Sequence, residues 1–190
     1  MLASILVLGL FGGPGPRPCP SAQFVQCQDT RALAANPGFQ SALRSFVGDA
    51  HERYLHGDKP LYGQVMDLIA KPQLPGQQVG EDMRLFAGCR RFSCPEKAAL
   101  IIGQRGIIAI GIVDYSHGNP ALEVIVRRND AYTWGPEQAL KGWATAAVSK
   151  EAEMQHESMS LHQVRVRALD DEPNPSAPTP RRRFFNLPPL

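Results

Sequence analysis

The chain has 190 residues, an apolar fraction of 43% and a formal net charge of +2. That length suits one domain with tails, and that apolar share supports a packed core. The charge balance excludes a dedicated nucleic-acid protein, and no nucleic-acid partner is expected.

Residues 1–22 read as a secretory signal. Leu2 to Phe11, LASILVLGLF, is an apolar run too short to span a bilayer, and the turn-rich stretch GGPGPRPCPSA leads to Ala22 as the cleavage position. Export to the periplasm or beyond is the expected localisation. Asn36-Pro37 then signals a helix start, with Asn as cap and Pro at the first helical position. Phe39, Leu43, Phe46, Val47, Ala50 and Tyr54 recur at helical spacing, and Gly57-Asp58-Lys59-Pro60 is the expected stop. Leu61 to Ala70 fits a strand or a helix. Pro72 to Gly80 reads as a loop by composition.

Met83, Leu85 and Ala87 alternate with Asp82, Arg84 and Phe86, so a strand leads into GCRRFSC, Gly88 to Cys94. Lys97–Ile102 and Ile107–Val113 are apolar runs around the turn Gly103-Gln104-Arg105-Gly106, which predicts a hairpin. A turn at 116–120 and a strand from Leu122 to Val126 complete an antiparallel meander. Pro136 opens a second helix with an apolar face of Ala139, Leu140, Trp143, Ala144, Ala147 and Val148. Ser149 to Ser158 is polar and rich in Glu. Residues 169–190 form a tail whose composition, Pro-rich with Arg181-Arg182-Arg183, cannot bury enough surface to order itself. The expected layout is a signal over 1–22, one domain over 23–168 and the tail. The chain shows no repeat and no transmembrane span.

Cys89 and Cys94 stand in C-x4-C spacing, unlike the C-x2-C of redox motifs and zinc knuckles. In an oxidising compartment they are the expected disulfide pair. Cys19 and Cys27 are open: cleavage after Ala22 leaves Cys27 reactive or bridging a homodimer, while cleavage further upstream allows a Cys19–Cys27 bond. A Cys89–Cys94 bond closes a short ring and restrains the unfolded chain by about 2 kcal/mol. Its larger effect is to fix Arg90, Arg91, Phe92 and Ser93, which lowers the entropy lost on binding. Arginine matches carboxylates and a presented aromatic suits an interface. The alternative is a stapled tip with solvated arginines.

GCRRFSCPEKAALII, preceded by a strand and followed by a hairpin, resembles the inhibitor of vertebrate lysozyme family, the Ivy proteins. The resemblance extends more weakly from the helix near Phe39 to the helix around Trp143. It implies an α+β fold, an antiparallel sheet with helices packed on one side. It also implies a periplasmic inhibitor whose disulfide-closed loop enters the active-site cleft of a c-type lysozyme. The family loop has the form C-K-P-H-D-C, and its histidine hydrogen-bonds the catalytic carboxylates. Cys89 and Cys94 match the cysteines and Arg90 the basic position. Arg91, Phe92 and Ser93 replace proline, histidine and aspartate. If inhibition persists, Arg90 or Arg91 must meet the carboxylates of the cleft. The other reading of the same scaffold is that it binds another partner of the cell envelope.

The remaining candidates are weak. His51 and His56 do not share a helix face. A metal site from Cys89, Cys94 and a histidine competes with the disulfide, so no metal or cofactor is expected. No nucleophile triad, phosphate loop or paired acidic motif appears in context, so the chain is read as a non-enzyme. A thiol-redox enzyme at Cys89 and Cys94 is disfavoured by the spacing. The Arg181–Arg183 patch with Phe184 and Phe185 reads as a solubilising cluster, or as a contact for anionic surfaces.

Overall fold

A computed structural model describes residues 19–20, 22–51, 54–55, 59–71, 74–115, 119–127 and 134–169. The signal segment before Cys19, the turn at 116–118 and the tail from Asp170 lie outside the described residues.

A short 3-10 turn at Phe24–Gln26 precedes α1, Thr30–Ala34, which Asp29 caps by accepting from the Ala32 N–H at 2.7 Å. Helix α2 is Pro37–Val47. Asn36 caps it as the sequence predicts, its Oδ1 accepting from the Phe39 N–H at 3.1 Å, a contact of about 1 kcal/mol. The same side chain donates to the carbonyls of Cys19 and Pro20 at 3.0 and 3.2 Å. The helix stops earlier than its periodicity suggests. Gly48 takes φ 55°, and Ala50 and Tyr54 pack from a loop onto the same core. Leu61–Leu68 resolves as a helix, α3, with Leu61, Val65 and Leu68 buried along one side.

Six strands form one sheet in sequence order: β1 Gln77–Gly80, β2 Met83–Arg90, β3 Ser93–Gly103, β4 Gly106–Asp114, β5 Ala121–Arg127 and β6 Gln163–Leu169. The first five pair antiparallel. β6 pairs parallel to β5, because helix α4, Trp134–Gln155, carries the chain back along the sheet. The expected α+β class holds, and the meander from Met83 to Val126 is present.

Three points differ from expectation. First, β1 falls inside the segment read as a loop; it is a four-residue edge strand, too short for a period-2 signal. Second, β6 went unread, although Val164, Val166 and Ala168 alternate with Gln163, Arg165 and Arg167. Third, helices cover both faces. Phe86, Ala98, Leu100, Ile102, Ile110 and Ile112 meet α1–α3 on one face, while Leu85, Ala99, Ile101, Val113, Leu122 and Val124 meet α4 on the other. The cause is the apolar character of successive residues: Ala98 to Ile102 are all buried, so neither face of β3 can be left to water. Leu140 of α4 lies so close to Gly111 that a β-carbon there would sit 2.9 Å from it.

Candidate functional site

The hairpin β2–β3 carries the cysteine stretch at its tip. β2 ends at Arg90, β3 begins at Ser93, and those two residues pair across the ladder, leaving Arg91 and Phe92 as the turn. The register shifts between Cys89 and Arg90. Cys89 and Cys94 are disulfide-bonded as expected, with Cα atoms 4.9 Å apart.

The base of the tip is held from the side. The chain leaving α3 crosses it, the Lys71 N–H donating to the Cys89 carbonyl at 3.1 Å while the Cys89 N–H donates to the Lys71 carbonyl. Gly88 permits this approach, since a β-carbon there would fall 2.8 Å from the Ile69 backbone. Thr30 closes the adjacent edge by donating to the carbonyl of Ala87 at 3.0 Å.

The four predicted binding residues divide into two kinds. Arg90 is engaged within the chain: its Nη1 meets Glu96 Oε2 at 2.8 Å, and that hydrogen bond and charge hold its pKa above the ordinary value. Ser93 is a half-buried rung of the ladder. Arg91 and Phe92 point outward. Phe92 is 93% exposed and adopts φ 72°, a left-handed conformation that bulky side chains rarely take. The Arg91 guanidinium lies 4.8 Å from the centroid of its ring.

Beneath the tip lies a buried polar group that sequence reasoning missed. Lys97 is the direct cross-strand partner of Cys89 and only 7% exposed. Its Nζ meets Glu151 Oε2 at 3.1 Å and the Ala147 carbonyl at 3.4 Å, both on α4. Gln155 donates to the other Glu151 oxygen at 2.6 Å. Tyr115 packs on the same face, its hydroxyl buried without a hydrogen-bond partner; burial and the charge of Glu151 push its pKa up. A signal existed: α4's periodicity runs through Ala147 and Val148 to Glu151, placing an acid on its buried face.

Cys27 bonds to Cys19 and is fully buried, so in this pairing it offers no free thiol to a second chain. A processing cut that spares this bond lies before Cys19, upstream of the position read at Ala22. His51, His156 and His162 are exposed; His56 and His117 lie outside the described residues, as does the arginine patch of the tail. Among the described residues no group of three His, Cys, Asp or Glu side chains is placed to hold a metal ion, and no helix is long and apolar enough to cross a membrane.

No family model, curated protein or solved structure matches this chain. The resemblance to the Ivy proteins therefore rests on the C-x4-C frame and the elements around it.

Proposed function

We propose that this is an exported protein inhibitor that docks its Cys89–Cys94 tip into the active-site cleft of a c-type lysozyme. The observation that carries the reading is Phe92. Leaving a phenylalanine in water forfeits about 1.5–3 kcal/mol of burial. Holding a bulky residue at positive φ costs about 1–2 kcal/mol more. Folding gains from neither, whereas a partner that buries the ring recovers the first and finds the second already met. His156, just past the end of α4, also takes a positive φ, 55°, but Phe92 combines strain with an exposed apolar ring on a protruding tip, which is the pattern of a binding element.

Arg91 supplies the charge. Arg90 is spent on Glu96, so Arg91 is the tip residue suited to a cleft carboxylate. A retaining glycosidase holds two carboxyl groups about 5 Å apart, within the span of one guanidinium fork. Phe92 would fill an adjacent apolar sugar subsite in place of the family histidine. Two disulfides support export, because oxidising compartments preserve them.

The departures at Arg91, Phe92 and Ser93 favour a second reading, the same scaffold turned to another envelope partner. Titration against c-type, g-type and i-type lysozymes separates the two. Inhibition of the c-type enzyme alone supports the first. Full activity of all three at micromolar protein rejects lysozyme as the target.

A further inference from the structure

We propose that the Cys89–Cys94 bond is a reducible switch on this tip, opened by a dithiol reductant that attacks Cys94. The two sulfurs are not equivalent. Cys94 is exposed at the outer side of the tip, while Cys89 is 5% exposed and pinned by Lys71 through both of its backbone hydrogen bonds. An incoming thiolate therefore reaches Cys94 Sγ. The new bond joins the reductant sulfur to Cys94, the Cys89–Cys94 bond breaks, and its electron pair departs on Cys89 as a thiolate. The second thiol of the reductant, once deprotonated, then attacks its own sulfur in the mixed disulfide. The reductant leaves as a disulfide, oxidised by two electrons, and Cys94 is released as a thiolate that takes up a proton.

The leaving sulfur has a place prepared for its charge. Directly opposed residues of an antiparallel pair have β-carbons about 4.5–5.5 Å apart, and Cys89 is directly opposed to Lys97 on the face under α4. An ammonium has three donors. Glu151 and the Ala147 carbonyl take two, and the third has no partner among the described residues. The buried Tyr115 hydroxyl on the same face is a second donor without a partner. A thiolate beside a lysine is the better leaving group. Among the described residues these donors have no further partner in the oxidised protein, and a buried ion pair is often no better for stability than apolar packing. Opening the ring releases Phe92 from its left-handed conformation and loosens the Arg91–Phe92 pair. Reduction thus switches off the docking described above; this consequence rests on that reading, the chemistry does not.

The test uses the purified full-length protein in dithiothreitol redox buffers, with alkylation and mass mapping of each cysteine. Cys89–Cys94 is expected to open at least tenfold faster than Cys19–Cys27 without loss of the native fold. Glutathione trapping is expected to place the adduct on Cys94. Replacing the ion pair by Lys97→Met with Glu151→Leu is expected to slow opening at least tenfold. Tyr115→Phe, which keeps the packing, is expected to slow it several-fold should the double variant not fold. Adducts on Cys89, opening only upon global unfolding, or unchanged rates in Tyr115→Phe and the double variant would each overturn the proposal. None of these arms needs a partner, so failure of the lysozyme reading registers separately. With a partner in hand, unchanged affinity of the reduced protein would overturn the switching consequence.

Discussion

Phe92→Gly separates a binding tip from a structural one. At φ 72° the phenylalanine carries about 1–2 kcal/mol of backbone strain that glycine does not. Glycine costs more chain entropy on folding, about 0.5–1 kcal/mol. The ring is 93% exposed, so its loss removes almost no burial, and its contact with Arg91 is a solvated cation–π pair worth about 0.5–1 kcal/mol. These effects nearly cancel, and stability should change by less than about 1 kcal/mol, a shift of no more than roughly 4 °C in Tm. Binding should behave differently. Truncating a central aromatic typically costs at least about 2 kcal/mol, close to thirtyfold in Kd. Thermal unfolding and calorimetric titration of one sample measure both. A fall in Tm beyond about 8 °C would mean that the ring supports the fold. Unchanged affinity for a partner that binds the wild type would mean that the tip is not the contact.

Serine at both Cys89 and Cys94 should lower stability by only about 2 kcal/mol, since the ring is short, and weaken partner binding at least tenfold; unchanged affinity of the folded variant would contradict the presentation role. Arg91→Ala should cost about 2 kcal/mol of binding or more and Arg91→Lys nearly as much, since an ammonium lacks the bidentate fork, while Arg90→Ala, whose partner Glu96 lies within the chain, should cost far less. Lys97→Met alone should destabilise by about 3–5 kcal/mol, seen in urea unfolding, because it leaves the buried Glu151 carboxylate uncompensated. Tyr115 has a raised pKa in the fold, so its contribution is intact below the ordinary phenol pKa near 10 and is lost as pH climbs through the folded value; Tyr115→Phe should flatten that alkaline decline in Tm.

Most of the sheet was legible because its strands announce themselves locally. The alternation at Met83–Ala87, the two runs around Gly103–Gly106 and the Asn36-Pro37 cap each rest on neighbours in sequence. The alternation at 163–168 was a local signal for β6, but its parallel pairing and the rest of what was missed depend on distant partners. β6 runs parallel to β5, and α4 covers the second face because the return to a parallel strand requires a crossover. The end of α2 at Gly48 depended on a backbone choice that apolar spacing beyond it concealed. At the site, the cysteine pairing was readable from spacing and compartment. The division of labour between Arg90 and Arg91 was not, since it turns on Glu96, six residues past Arg90 but brought across from it by the turn. Lys97 and Glu151 stand 54 residues apart, and only the fold makes them a pair under Cys89.

In the docking proposed above, residue 92 enters the cleft of its target. A photo-crosslinking residue placed at position 92 and mixed with a c-type lysozyme reads this directly. Covalent capture of peptides from the active-site cleft is expected, suppressed by a chitooligosaccharide that occupies the same subsites. No capture, or capture elsewhere on the lysozyme that the sugar leaves unchanged, would contradict it.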